Sequence, residues 1–413
     1  MARALLRRPA VLGLTLVLVI LAVFPYLYTW PFFDGFLSEF RTFQATRFGL
    51  WLIILLGLNL LTGYSGQISL GHAALVAIGA YVAAILLNDG FMGQDVPVAA
   101  AVLAAALFTG ALAFLLGAPA LRLSGPYLAI ATLAMIIALP QILKLENVSF
   151  AGHVFHPDIA RWTGGVQGLL LDTPKAPGSI DSLVTKDQWL YYEVMVPAVI
   201  MTAMAWNLTR SRIGRAFIAI RDTEVGAEHM GVNMALYKMT AFGLSGIYAG
   251  VGGGLFAYTE SFMSPDSFEV IKSITMLVAV VLGGLASIAG TVFGALFLAF
   301  QIEIVDAVSG LIQRVPSIGA LQGYLPTTKS DFERLRGAVY SVPLIIFIIF
   351  APGGVAGLVR QVGNSAPNWW REGKLRLTGW GSIRGLAVLR RARGAGSASG
   401  SEAVQDPEKK TGP

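Results

Sequence analysis

"FGLWLIILLGLNLLTGYSGQISLGHAALVAIGAYVAAILL", residues 48–87, joins two apolar runs through a short stretch, Thr62 to His72, whose polar groups sit where a lipid-crossing chain least tolerates them. A helix needs about 20 mainly apolar residues to cross the hydrocarbon of a bilayer. Runs of this kind recur near 10–30, 48–62, 71–88, 97–118, 126–145, 190–209, 237–259, 272–286, 290–308 and 337–356. They predict an all-α polytopic membrane protein with about ten transmembrane helices. Composition points the same way: 413 residues that are 55% hydrophobic and 13% charged, with a mean hydropathy of +0.66, do not fold as a soluble globule.

The polar stretch between the two runs has Gly63, Gly66 and Gly71 at its breaks. Asn59, Tyr64, Ser65, Gln67, Ser69 and His72 supply donors and acceptors. It reads as helices broken near mid-membrane, because irregular backbone survives at membrane depth only when buried in protein or lining a polar cavity. The helix starting after Gly71 would present free N–H groups to a carboxylate. Asn59, Tyr64, Gln67, Ser69 and His72 are therefore the candidate substrate-path residues. The plainer reading of His72 alone is a core histidine bonded to its neighbours.

The first apolar run follows "RALLRRP", but "LAVFPYLYTW" offers no small-residue cleavage site, so it is read as a helix and not a signal peptide. The absence of cysteine excludes disulfides, thiol chemistry and Cys-based metal sites. "HVFHPD" places His153 and His156 three apart, with nothing nearby to complete a metal-ligand set. With both termini inside, eighteen Lys and Arg residues fall on the cytoplasmic side, including Arg7, Arg8, Arg122, Arg210, Arg212, Arg215 and Arg221, against eleven outside. The bias of basic residues toward the cytoplasm favours that orientation. The net charge of +6 then follows from topology and calls for no nucleic acid.

The chain divides into an N-terminal helix and outer loop (1–45), a membrane core (46–360) and a basic, partly disordered cytoplasmic tail (361–413). In the tail, Trp369, Trp370 and Arg371 have the chemistry to hold anionic headgroups.

Between two runs lies "TRSRIGRAFIAIRDTEVGAEHMGVNMALYK", residues 209–238, on the cytoplasmic side. Ile213, Phe217 and Ile220 recur on one helical face with Arg212, Arg215 and Arg221 off it. Asp222 and Thr223 have the chemistry to cap a second helix, with Glu224 in its first turn. Gly231 is placed to end it in the left-handed conformation. This is a helix hairpin that either docks on a partner or lies on lipid headgroups.

The chain carries no motif for nucleotide hydrolysis. No G-x-x-x-x-G-K-[ST] motif is present, since Gly373-Lys374 is followed by Leu375. "GVGGGL" at 250–255 lies within an apolar helix, where Gly246, Gly250 and Gly254 at every fourth position mark close helix packing. H-E-x-x-H and G-x-S-x-G are missing, which disfavours an enzyme, and carboxylates in the predicted spans are few, with Glu193 alone in one and Glu303 and Asp306 near the end of another, which disfavours an ordinary proton-driven carrier.

Six blocks carry a resemblance: "GLNLLTGYSGQISLGHAALVAIGAYVAAIL" (57–86), "LRLSGPYLAIATLA" (121–134), "TGGVQGL" (163–169), "GRAFIAIRDTEVGAEHMGVNMALYKMTAF" (214–242), "LVAVVLGGLASIAGTVFGALFL" (277–298) and "LRGAVYSVPLIIFIIFAPGGVAGL" (335–358). In this order they resemble the second permease subunit of bacterial ABC importers for branched-chain amino acids. The resemblance implies a heterodimer with a sister permease, two cytoplasmic ATPase subunits that bind ATP and Mg, and a periplasmic substrate-binding protein. This chain itself would hold no cofactor and sit in the inner membrane. The family's coupling loop falls on Gly214, Arg215, Ile220, Arg221, Glu224, Ala227 and Gly231. Related permeases move urea, short amides or other small carboxylates, and these stay open as substrates. An ion-coupled secondary carrier is the rival from another class.

Overall fold

The computed structural model describes residues 39–88, 96–121, 125–145, 148–150, 153–155, 159–171 and 185–301, with Phe24, Leu123, Glu303, Gly354, Val355 and Gly357 as isolated positions. Numbered within these residues, the helices are α1 (Glu39–Leu58), α2 (His72–Asn88), α3 (Val98–Ala120), α4 (Pro126–Leu143), α5 (Ile159–Thr163), α6 (Lys186–Arg210), α7 (Arg212–Asp222), α8 (Glu224–His229), α9 (Met234–Thr259), α10 (Val270–Gly283) and α11 (Ile288–Ala299). Four short strands, β1 (Val148–Phe150), β2 (His153–Phe155), β3 (Leu169–Leu170) and β4 (Phe262–Met263), are confined to connections.

Among the described residues, five helical stretches are long and apolar enough to cross a membrane: Thr42–Tyr64, Val98–Pro119, Pro126–Leu143, Lys186–Arg210 and Met234–Thr259. Eight of the ten predicted runs coincide with helices, three of them shorter than a span. Apart from Phe24, Gly354 and Val355, the runs at 10–30 and 337–356 lie outside the described residues, as do the tail from 361 and His156. Helix α1 begins at Glu39, about nine residues before the predicted start at 48. The sequence there, "EFRTFQATR", looks like a loop by hydropathy, yet Thr42, Gln44 and Thr46 are buried. Two of them have partners: Thr46 Oγ1 donates to Thr42 O at 3.0 Å and Gln44 Nε2 donates to Glu303, which offsets part of the cost of taking them out of water.

Helix α9 is the central column. Its Gly246 and Gly250 lie against α3, where an added Cβ would stand 2.7 Å from Thr109 O and 2.6 Å from Ala105 O respectively, and Gly254 faces Val102. The predicted glycine stripe is therefore a backbone-to-backbone contact, as expected where small residues let helices approach. Helices α3, α4 and α6 present Leu103, Leu107, Phe108, Tyr127, Ile130, Val196 and Ile200 outward, surfaces suited to lipid or another apolar chain.

The two ends of the bundle are distinct. At one end β3 pairs with β4 in the register Leu169↔Met263 and Leu170↔Phe262, and Lys144 forms an ion pair with Asp266 at 2.7 Å. Both contacts tie the long loop after α4 to the α9–α10 connection. At the other end lie α7 and α8, and this is called the hairpin end below.

Candidate functional site

The site is built where α1 ends. Its last helical residues, Asn59–Tyr64, form a wide π-helical turn, and the chain then runs irregularly to His72. Such a turn usually marks a functional position. Thr42–Tyr64 is 23 residues, about 34 Å at 1.5 Å per residue, so the interruption follows a complete span. It then turns back inward: Leu70 N donates to Thr132 Oγ1 at 3.0 Å, and Gly71 lies directly on the Thr132 carbonyl. Thr132 is six residues into α4, about 9 Å from its start. The break therefore begins at the hairpin end of the bundle and, at Leu70 and Gly71, reaches about 9 Å along α4.

A second interruption packs against the first. Helices α10 and α11 are separated at Gly284–Ser287, and Ala286 has φ +54°, a strained value for a residue with a Cβ. Asn59 clamps it. Its Oδ1 accepts from Ala286 N at 3.0 Å, while its Nδ2 donates to Thr291 Oγ1 at 2.7 Å and to Ser287 O at 3.2 Å.

The candidate path residues thus have different surroundings. Asn59 is fully buried in this clamp. His72, also fully buried, lies with Nε2 3.2 Å from Ile54 O and Nδ1 3.4 Å from Ser245 Oγ, the core-bonded arrangement. Tyr64 is buried on the π turn. Gln67 is 6% exposed; its Nε2 donates to Ser65 Oγ at 2.9 Å, while its Oε1 has no partner among the described residues. Ser69, Gly71 and Thr132 form the polar part of a cavity of about 190 Å³, otherwise walled by apolar side chains such as Leu75, Leu116, Leu128, Met135 and Phe242.

Residues 212–229 form two short helices, α7 and α8. Ser211 caps α7, its Oγ accepting from Ile213 N and Gly214 N, and Gly214 permits the sharp corner, since a Cβ there would meet the backbone of Leu208 and Thr209. Phe217 and Ile220 are buried, with the Phe217 ring edge-on to Tyr237 at 6.5 Å. The apolar stripe of α7 is thus spent on the chain's own bundle, not on lipid. Arg215 Nη1 donates to Arg210 O at 3.0 Å. Thr223 occupies the N-cap position of α8 without a side-chain cap bond. Glu224 instead pairs with Lys238 Nζ at 2.8 Å. Ala227 is buried, and Gly231 has φ +80°. The bonds Val232 N→Ala227 O (3.1 Å) and Gly231 N→Glu228 O (2.9 Å) complete a Schellman end. Val225, Met230 and Leu236 stand exposed at the tip.

Arg221 faces inward. Its Nη1 donates to Gly63 O at 3.2 Å and its stem covers Gly66, where a Cβ would stand 2.8 Å from Arg221 Cγ.

Sequence reasoning missed Lys238 as the partner of Glu224, and missed Ala286, Ser287 and Thr291. The doublet Gly283-Gly284 inside an apolar run was the available signal for the second break.

The sequence profile of the family described as "Branched-chain amino acid transport system / permease component" matches residues 41–349. The chain belongs to this permease family. It is 31% identical over 346 residues to the high-affinity branched-chain amino acid transport system permease protein LivM of Escherichia coli K12, covering 78% of this chain and 76% of that protein. It is equally 31% identical to LivM of Salmonella typhimurium LT2, with 80% of each chain covered. A shorter match, 29% over 160 residues and 38% of this chain, is to the autoinducer 2 import system permease protein LsrC of Escherichia coli K12. No solved structure matches the chain. Within a permease family the buried clamp, the two interruptions and the hairpin belong to an integral membrane protein that works with other subunits.

Proposed function

We infer that this chain is the transmembrane permease of an ATP-driven importer of branched-chain amino acids, and that it moves substrate by alternating access. The match across residues 41–349 carries the reading. The partner set is a sister permease, two ATPase subunits on the cytoplasmic face that hold ATP and Mg, and a periplasmic binding protein. The chain lies in the inner membrane with both termini cytoplasmic, a reading supported by the Lys and Arg distribution.

Residues 46–360 form the permease core, with 1–45 and 361–413 as appended segments. Gln67 and Ser69, with Tyr64 beside them, face the substrate path, whereas Asn59 and His72 hold its wall. The hairpin is the ATPase contact. Its exposed tip around Val225 and Met230 supplies the apolar surface, Gly214 and Gly231 set its corners, and Arg215, Arg221, Glu224 and Ala227 fix its attitude on the bundle.

The test is reconstitution of the permease pair and ATPases in proteoliposomes with purified binding protein. ATP-dependent accumulation of radiolabelled leucine, with no uptake of urea or acetamide, is the expected result. Uptake that needs an ion gradient and no ATP would refute it.

A further inference from the structure

The two helix interruptions and the cytoplasmic hairpin are joined by a continuous set of short contacts, and one side chain makes the joint. Arg221, at the end of α7, donates to the carbonyl of Gly63 at 3.2 Å and lies over Gly66. Gly63 in turn touches both the Asn59 carboxamide and the Ala286 backbone, with no room for a Cβ between them. Asn59 then holds the second break through Ala286 N, Ser287 O and Thr291 Oγ1. The far end of this chain of contacts is Ala286 at φ +54°, a conformation that a Cβ-bearing residue leaves readily once its restraint is removed. Release from Asn59 would let this turn relax to a second conformation, which is what coupling between distant sites requires.

We propose that Arg221 is a positioning residue of the transport cycle: it makes the break at Gly63–Gly71 follow the hairpin and, through Asn59, makes the strained turn at Gly284–Ser287 follow the break. Hairpin displacement then changes the chain at the mouth of the cavity beside Ser69. The inference rests on the reading of the hairpin as the ATPase contact. Arg221 is suited to the role because its donor reaches a backbone carbonyl freed by the irregular turn, and Asp222 Oδ1, at 2.9 Å, fixes the other edge of the guanidinium. Neither Arg215, bonded to Arg210 O, nor Glu224, bonded to Lys238, reaches the interruption.

The experiment uses the whole importer in proteoliposomes, with Leu285→Cys as the single thiol in a chain that has no native cysteine. Leu285 is 49% exposed beside the strained turn. In the otherwise unaltered importer, ATP with vanadate is expected to change the rate of maleimide labelling at this position by about fivefold or more. With Arg221→Gln added, the nucleotide effect on labelling is expected to vanish and leucine uptake to fall at least tenfold, while the ATPases still co-purify. Arg221→Lys, which keeps a donor on a long stem, is expected to restore part of both. Arg221→Gln that inserts normally, keeps uptake within twofold and keeps the nucleotide effect on labelling overturns the inference alone. Met230→Asp at the exposed tip tests the underlying reading separately. Loss of the ATPases supports it, and their full retention overturns both.

Discussion

Replacing Gly231 separates backbone conformation from every other property of the hairpin. At φ +80° the residue is left-handed, yet a Cβ built on it meets nothing within 4 Å, so no clash with a neighbour contributes to the effect. A Cβ in this region costs about 1–2 kcal/mol, with a β-branched side chain at the upper end. The chain can escape only by leaving the left-handed state and giving up the bonds Val232 N→Ala227 O and Gly231 N→Glu228 O, each worth about 0.5–1.5 kcal/mol net. By either route Gly231→Val costs roughly 2 kcal/mol, well below the ~5–15 kcal/mol stability of a folded protein. It is nevertheless enough to redirect the end of α8 in most molecules, since 1.4 kcal/mol is a factor of ten. The expected result is normal insertion and thermal stability, with leucine uptake reduced about tenfold through loss of the ATPases or of their response to loaded binding protein. Gly231→Asn, which tolerates the left-handed state, should retain most uptake. Full activity of the Val variant, or equal damage from Asn and Val, would refute the conformational argument.

Three further outcomes test other parts of the structure. Glu224→Lys places a second cation against the nearly buried Lys238 (9% side-chain exposure); since Glu224 is half exposed, the loss should be about 1–3 kcal/mol, read as a lower melting temperature in detergent, and the exchanged pair Glu224→Lys with Lys238→Glu should recover part of it. Gln67→Leu removes a buried oxygen that has no partner among the described residues, so stability should be unchanged or higher while uptake falls; unaltered uptake would assign Gln67 to packing. Single cysteines at Ser182 and Thr223 should react with an impermeant maleimide in intact cells at the first position only, and the reverse pattern would invert the topology.

What the sequence made legible follows from the range of the interactions involved. The hairpin was readable because its determinants are local: a four-three apolar spacing on α7, a glycine at the end of α8, and a stripe at Gly246, Gly250 and Gly254 that is periodic within one helix. The start of α1 was not, because Gln44 and Thr46 look solvent-loving until Glu303 and a carbonyl one turn back satisfy them. The candidate path was legible as a place and not as roles. Asn59 and Ser69 are both polar residues near a break, and only the three-dimensional arrangement puts one in a clamp with Ala286 and the other in a cavity wall. The Glu224–Lys238 pair joins two helices across a turn, so neither residue alone announced it.

The glycine contact between α9 and α3 limits how the protein can move. Where side chains interdigitate, a helix can roll and let its neighbours change rotamer; where Gly246 and Gly250 rest on carbonyls, any rotation of α9 about its axis drives Cα hydrogens or the flanking Cβ atoms into the α3 backbone, which has nothing to yield. Gly253 adds a third such seat against Val76 of α2. Helices α2, α3 and α9 therefore make one rigid block, in which a displacement of α9 carries the other two with it.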